Sequence, residues 1–395
     1  MNPVVALEIG TTKTLALVGD VQRDGNIMII GTGETSSIGV RKGEIIDIEQ
    51  AATSVRLALQ QAEETSDVNI REVNLAVSGN GIRSTVGSGS VPVSSDDQLI
   101  TKEHIKAVME ISKAISIPAD HNVIHTIPQH YWIDDNARVT NPEDMTGAKL
   151  SLDVLLVHGI RNRIKNSVQA VHAHDIDVGN VYFTALCSAV AILTQQQKLS
   201  GVLLLDFGGG TAGYAAYADS MVARAGSISI GGDHITNDIA YAFNIPHGKA
   251  EILKKESGSA LVNEKAVEEK IAIPAEVGFS GRSVSRLSLC KVINARIEET
   301  FLLLKRELES YGLLDKFGAG IVMTGGCARL HGICDVAEQV FGLPCSIGCA
   351  INIDGVETVQ QSPEYSACAG VIQNAIRSMK VGQKKTLFGS LFGRR

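Results

Sequence analysis

The chain has 395 residues, 44% of them hydrophobic, and a net charge of −7, enough apolar content for a sizeable core in roughly two or three domains. The acidic balance, with no basic stripe interleaved with aromatics in the body, argues against nucleic acid as the main partner, and no stretch reaches the roughly 20 apolar residues of a membrane span. A strand begins by residue 4, which leaves no room for a signal peptide, so the expectation is a cytosolic protein whose seven cysteines stay reduced.

Val4 to Ile9 reads as a strand buried on both faces, with Glu8 near its end and Gly10-Thr11-Thr12-Lys13 after it. An alternating strand (Leu15 to Val21), a polar turn (Arg23-Asp24-Gly25-Asn26) and another apolar strand follow. Apolar spacing predicts a helix over Gln50 to Glu64 and then a strand from Val73 to Ser78. From Ile82 to about Lys165 the texture changes. A strand (Thr85 to Val93) precedes a helix started by Thr101, which lacks the Glu of a full capping box. Three extended runs come next, Val123 to Ile127, His130 to Ile133 and Leu150 to Val157. The pattern predicts a small inserted α+β domain with Trp132, the single tryptophan, anchoring its core.

A helix (Ile164 to Ala173), a short strand (Val181 to Phe183) and a helix (Ala185 to Leu193) lead to Leu203-Leu-Leu-Asp206-Phe-Gly-Gly-Gly-Thr211. This stretch repeats the recipe of the N-terminus: buried strand, acid, one residue, glycine, threonine. Glycines let the backbone turn and present N–H groups without side chains in the way, a concavity that suits phosphate oxygens. A strand over Tyr214 to Ala218 and the turn Ala218-Asp219-Ser220 complete the second copy. Two such hairpins half a chain apart imply two similar domains gripping one phosphate chain.

Gly231-Gly232-Asp233 introduces a helix through Ile235, Ile239 and Phe243. A second insertion-like region holds Ala250 to Lys254, strands near Ala260 to Ile273, and Arg282 to Arg286. The helix Leu289 to Tyr311 turns Val292, Ile293, Ile297, Phe301, Leu304 and Leu308 to one face. Ala319 to Thr324 is a third buried strand, ending at Gly325-Gly326, where backbone can lie flat against a nucleobase; a helix to Phe341 follows. Cys327, His331, Cys334, Cys345 and Cys349 are close in sequence, but their spacing fits neither CxxC pairs nor a zinc finger. Small buried hydrophobes are the better reading. Glu364 to Met379 is the last body helix, expected to stop at Gly382.

In the final stretch, Leu387, Phe388, Leu391 and Phe392 share one helical face, between the basic pairs Lys384-Lys385 and Arg394-Arg395. That is an interfacial membrane helix in miniature. Four partly buried apolar side chains give about 4–8 kcal/mol and each basic residue about 1 kcal/mol at an anionic surface. Ordering the tail costs about 1–2 kcal/mol per residue. A single tail should therefore bind weakly, and many tails on one filament tightly.

Two acid–Gly–Thr hairpins and a late Gly-Gly strand resemble the superfamily of actin, heat-shock chaperone and sugar-kinase ATPases. More narrowly, the chain resembles the FtsA family of bacterial division proteins along nearly its whole length. The marks are Leu7 to Thr11, Ile127-Pro128-Gln129-x-Tyr131-x-Ile133-Asp134, Asn141-Pro142 with Gly147, Asn237 to Ala240, Thr324-Gly325-Gly326 and the charged amphipathic C-terminus. The resemblance implies a two-lobed actin-like α/β fold of duplicated mixed-sheet domains with a small inserted α+β subdomain. Residues 1–82, 166–198 and 363–381 would form the first core domain and 83–165 the FtsA-type insert. Residues 199–232 and 306–362 would form the second core domain, 233–305 a tip subdomain, and 382–395 a linker and membrane-targeting tail.

It further implies ATP and magnesium. Gly10, Thr11, Thr12 and Lys13 would be the first phosphate loop, and Gly208, Gly209, Gly210 and Thr211 the second. Glu251 and Lys254 would hold ribose and base, Gly325, Gly326 and Arg329 would line the adenine pocket, and Glu8 and Asp206 would hold magnesium through water. Asp206 is also the candidate catalytic residue. The implied role is to polymerise on the cytoplasmic face of the membrane at the division site and to anchor the tubulin-like FtsZ among other division proteins. Arg282, Arg286, Arg296 and Glu299 are the candidates for gripping the FtsZ C-terminal peptide. One departure stands out: relatives carry an acid two residues past the second-loop threonine, where this chain has Gly213, so slow hydrolysis is expected. The competing readings are a type IV pilus assembly adaptor, which would lack the membrane tail, and a small-molecule kinase, which would need a substrate base beyond Asp206. A heat-shock chaperone would need a further domain, and neither a Walker A loop nor a GxGxxG fingerprint is present.

Overall fold

The computed structural model of the chain describes residues 3–22, 26–94, 97–264 and 269–391, with 380–391 as backbone alone. The first lobe opens with β1 (Val4–Ile9), β2 (Lys13–Val21), β3 (Ile27–Ser36), a small hairpin of β4 (Val40–Arg41) and β5 (Glu44–Ile45), α1 (Ile48–Ser66) and β6 (Glu72–Val77). Asp47 caps α1 by accepting from the Gln50 N–H, and Asp67 ends it in the left-handed region, both common uses of Asp. The insert comprises β7 (Arg83–Pro92), α2 (Lys102–Lys113), β8 (His121–Ile133), β9 (Ala137–Val139) and β10 (Lys149–Ile160). The chain then returns through α3 (Arg161–His172), β11 (Asp177–Phe183), α4 (Thr184–Ile192) and α5 (Gln195–Ser200).

The second lobe begins with β12 (Val202–Phe207), β13 (Ala212–Ala218) and β14 (Met221–Ile228). Its tip follows: α6 (Gly232–Phe243), α7 (His247–Ser257), β15 (Lys270–Ile273), β16 (Arg282–Ser285) and α8 (Arg286–Ser310). Then come β17 (Ile321–Thr324), α9 (Ile333–Phe341), β18 (Cys345–Ile347), β19 (Ile353–Gly355), α10 (Glu357–Gln361) and α11 (Ser366–Leu391).

The duplication is explicit in the sheets. The first-lobe order is β11-β6-β1-β2-β3-β19 and the second-lobe order β14-β13-β12-β17-β18. In both, a central strand pairs antiparallel with its hairpin partner and parallel with a later strand: β1 with β2 and β6, β12 with β13 and β17. Because side chains alternate across a strand, β12 feeds two cores. Val202 and Leu204 join the core shared with the first lobe, whereas Leu203, Leu205 and Phe207 join that of the second.

The insert is a sheet of order β7-β10-β8-β9 with α2 packed on one face, where the Ser112 hydroxyl donates to the Leu152 carbonyl at 2.8 Å. His104 takes the role of the missing Glu, its Nδ1 accepting from the Thr101 N–H at 3.1 Å. Two expectations fail here. The runs 123–127 and 130–133 are one strand, continuous through Pro128 because β8 carries an extra residue beside it: Gln129 and His130 lie between the pairs Tyr131–Leu152 and Pro128–Val154, opposite Asp153 alone, a bulge that accommodates the missing donor. Trp132 stays outside the insert's core. Ile133 and Tyr131 supply that core instead, and strand alternation sends Trp132 to the opposite face, half-buried.

The insert also touches the second lobe. The Ser227 N–H donates to the Ile82 carbonyl at 3.1 Å and the Ala225 N–H to the Ser84 hydroxyl at 2.9 Å. Arg138 meets Asp219 at 3.3 Å. Two further expectations are corrected, and one unexpected element is added. Among the described residues of 260–273, the one strand is β15, paired with β16. A short helix, α5, stands at Gln195–Ser200, capped by Thr194 and Gln197. The last helix does not stop at Gly382: α11 runs through it to Leu391, since a single glycine weakens a helix by only about 1 kcal/mol. Of the expected tail residues, Phe392, Arg394 and Arg395 lie outside the described residues, as does most of the turn Arg23–Gly25.

Candidate nucleotide site

The two glycine hairpins are built alike. After β1, the Gly10 N–H donates to the Lys13 carbonyl at 3.0 Å; after β12, the Gly208 N–H donates to the Thr211 carbonyl at 2.9 Å. Gly10 to Lys13 therefore superposes in role on Gly208 to Thr211, and Glu8 on Asp206. This register sets Thr211 opposite Lys13, two positions away from Thr11, its match by sequence. The hairpins abut across the cleft: a Cβ at Gly210 would overlap the Thr11 hydroxyl and one at Gly209 would lie 2.8 Å from the Thr12 hydroxyl. The second loop is also braced from below, where the Gly232 and Asp233 N–H groups at the start of α6 donate to the Gly208 and Gly209 carbonyls at 3.0 and 2.7 Å. With its carbonyls held there, the loop is left to offer N–H groups to the cleft.

Between the hairpins lies a narrow space of about 80 Å³ lined by Glu8, Gly10 to Lys13, Asp206, Gly208 to Thr211, Gly325, Gly326 and Glu364. It opens into a chamber of about 890 Å³ lined by Thr12, Lys13, Glu34, Gly209, Gly232, Glu251, Lys254, Gly326, Cys327, Arg329 and Glu364, among others. Every sequence-predicted nucleotide residue lines one of the two. A narrow inner slot joined to a wide chamber matches a phosphate chain joined to a nucleoside.

Two carboxylates stand at the floor. Burial, then repulsion from Asp206, pushes Glu8 up to about 8, with Lys13 opposing. Burial raises Asp206 too, while the Ser188 hydroxyl, donating to it at 2.8 Å, acts the other way. A carboxylate pair that resists double ionisation is stabilised by a cation. In the chamber Glu251 is lowered to about 2: burial raises it, but bonds from Lys254 (2.7 Å), Thr236 (2.5 Å) and Lys255 (3.2 Å) outweigh that. Lys254 also donates to the Gly232 carbonyl at 3.1 Å, tying α7 to the braced loop.

Sequence reasoning passed over the groups around Lys13. Its amino group meets Glu34 at 3.0 Å and Glu364 at 4.0 Å and lies 4.6 Å over the Tyr365 ring. Tyr365 donates to Glu34 at 2.8 Å, and Arg329 meets Glu364 at 2.9 Å. Glu34 follows no motif and Glu364 reads only as the first residue of the last predicted helix, so only the fold brings them together. In the tip, Arg296 binds Asp238 through two contacts (2.5 and 2.9 Å) and Glu299 at 2.5 Å. Arg286 meets Glu269 at 2.7 Å, and Arg282 donates to the Phe243 carbonyl at 2.6 Å. All seven cysteines are free thiols, with Cys187, Cys290 and Cys368 buried; among the described residues no three metal-ligating side chains cluster around a metal-sized site.

The family model for cell division protein FtsA matches residues 203–370, and the model for the SHS2 domain inserted in FtsA matches residues 79–158. Cell division protein FtsA of Pseudomonas aeruginosa is 33% identical over 98% of this chain and 93% of its own. The chain belongs to the FtsA family. FtsA of Escherichia coli K12 is 35% identical over 93% of this chain and 89% of its own, and that of Borreliella burgdorferi 33% identical over 94% and 90%. This FtsA-family chain has the actin-like fold. A PilM–PilN type IV pilus biogenesis complex structure aligns over 94% of this chain and 98% of its own, with a TM-score of 0.65 and 14% identity. MreB5 of Spiroplasma citri, solved with ADP, aligns over 97% and 99% with a TM-score of 0.54 and 16% identity.

Proposed function

We propose that this FtsA-family chain is an ATP-dependent scaffold that polymerises on the cytoplasmic membrane at the division site and anchors FtsZ filaments there. The observation that carries the reading is the apposition of Gly10 to Lys13 and Gly208 to Thr211 across one cleft, with Glu8 and Asp206 behind them. The hairpin N–H groups and Lys13 receive the phosphates; Glu251 and Lys254 receive the ribose and Gly325, Gly326 and Arg329 the base. A hard divalent cation fits the two strained carboxylates, and Glu8 and Asp206 would hold it through water, where it neutralises phosphate charge.

Turnover is slow in this reading. Asp206 is the one carboxylate aligned with the second loop, and Gly213, which faces it across β12 and β13, brings no acid to orient an attacking water. ATP therefore acts chiefly by drawing the lobes together. Closed subunits polymerise, and the polymer multiplies the weak attachment of each tail, from Lys384 and Lys385 through Leu387, Phe388, Leu391 and Phe392 to Arg394 and Arg395. The tip subdomain takes the FtsZ C-terminal peptide through Arg282, Arg286, Arg296 and Glu299. Loss of peptide binding in an Arg282→Ala/Arg296→Ala variant supports that assignment, and unchanged binding removes it. Sedimentation with ATP and anionic liposomes, with and without residues 384–395, tests the scaffold. The full chain should pellet with vesicles far better with ATP than without, and the shortened chain should not follow the vesicles. Equal pelleting of nucleotide-free monomer and ATP-bound protein overturns the mechanism.

A further inference from the structure

Away from the cleft, the geometry points to a second chemical site on this chain: a dithiol of Cys334 and Cys345 that closes reversibly into a disulfide. Cys334 lies in the first turn of α9 and Cys345 opens β18, the edge strand of the second-lobe sheet. Glu338 stands one turn after Cys334 on the same face of α9. Its carboxylate accepts the Cys345 N–H at 2.8 Å, which fixes the start of β18 against that face. Both side chains pack on the same hydrophobic core, and both are partly exposed, so a small oxidant can reach them.

The two thiols are not equivalent. The neighbouring Cys345 thiol holds the Cys334 thiol below its ordinary range, while Cys334 and burial push that of Cys345 up. The first-turn N–H groups of α9 favour negative charge at the same end. Cys334 is thus the attacking sulfur and Cys345 the resolving one. With a peroxide, the Cys334 thiolate attacks one oxygen and the O–O bond breaks; the departing hydroxide takes a proton and leaves as water. Cys345 then attacks the sulfenic sulfur of Cys334, and the hydroxyl departs as a second water with the Cys345 proton. Two thiols are oxidised to one disulfide and one peroxide is reduced to two waters. A thiol reductant reverses the step by exchange.

The bond would staple α9 to β18. Cys345 pairs with Ile321 at the start of β17, and β17 ends at Thr324 beside Gly325 and Gly326, so the staple braces the strand that carries the proposed base pocket. The test uses the folded full chain. It is exposed to hydrogen peroxide, quenched, unfolded and alkylated, then analysed by intact mass and peptide mapping. The expected result is a loss of two alkylatable thiols and a Cys334–Cys345 linked peptide, both reversed by dithiothreitol. In Cys345→Ser, a 1,3-diketone probe should trap sulfenic acid at Cys334 with no thiol pair lost. In the unmutated chain, limiting iodoacetamide should label Cys334 before Cys345. Seven alkylatable thiols after peroxide, a linkage between any other pair, or labelling of Cys345 first would each overturn the proposal.

Discussion

A methyl group added at Gly210 has nowhere to go, because the Thr11 hydroxyl and the Lys42 and Gly43 backbone of the opposite lobe already occupy its place. Overpacking of this kind costs about 1–3 kcal/mol, and here it falls on the contact between the hairpins. Gly210→Ala should therefore weaken ATP binding at least about fivefold while leaving the far-ultraviolet circular dichroism unchanged; titration with a fluorescent ATP analogue decides it, and affinity within twofold of the parent would show that the hairpins need not meet. Lys13 makes the opposite case. Glu34 and Glu364 hold its amino group, so phosphate oxygens must compete with carboxylates for it. A partly exposed pair of this kind is worth about 0.2–1 kcal/mol. Glu34→Gln should tighten ATP up to about fivefold and leave adenosine, which has no phosphate, unchanged. Equal gains for both ligands would mean the substitution acts on the base chamber. At Gly213 a side chain would press on Ala185, 3.0 Å from the position of its Cβ. Restoring the acid with Gly213→Asp should raise ATP turnover only when Ala185→Gly makes room, measured as phosphate release by the single and double variants.

Between the elements, His125 of β8 ties the insert to the first lobe by accepting the Phe183 N–H at 2.8 Å. Burial lowers this imidazole to about 4, below the ordinary value near 6.5. The unfolded chain then binds the proton first, so the stabilising effect is complete above pH 6.5 and is lost as pH falls from 6.5 towards 4. The loss should reach about 3 kcal/mol at pH 4. His125→Gln keeps an acceptor without the titration; it should flatten this part of the urea-midpoint profile between pH 4 and 6.5, and an unchanged profile would assign the acid sensitivity to other groups. The same contact shows what the sequence could and could not reveal. Val4 to Ile9 and Leu203 to Phe207 were legible because buried strands ending in glycine carry their own signal. Pro128 misled, because the bulge that tolerates it, at Gln129 and His130, is defined only by the pairing of β8 with β10. Trp132 misled because bulk was weighed above the two-residue alternation that turns it outward. Glu34, Glu364 and Ser188 carried no signal, since each reaches the cleft from an element whose position depends on the whole fold.

At the scale of the whole molecule, the unbroken run of α11 to Leu391 changes what the proposed tail can do. Its upstream half, with Cys368, Val371, Ile372, Ala375 and Ile376 buried in the first-lobe core, is clamped against α4 and β1. A tail continuous with that helix is aimed by the lobe, whereas a tail hinged at Gly382 would sample every direction. The two cases respond differently at one residue. If the helix must stay continuous for membrane binding, Gly382→Ala removes a helix penalty of about 1 kcal/mol, and Gly382→Pro removes a backbone donor and breaks the run at about 3 kcal/mol. Alanine should then tighten the binding of monomers to anionic vesicles by up to about fivefold, and proline should weaken it by tenfold or more, with ATP affinity unchanged in both. Filaments should mask much of the proline defect, because many linked tails raise the effective concentration of each. Vesicle flotation of monomer and filament, run on all three proteins, separates the cases: if the proline monomer binds as well as the parent, the segment beyond Gly382 works as an independent anchor and the lobe does not aim it.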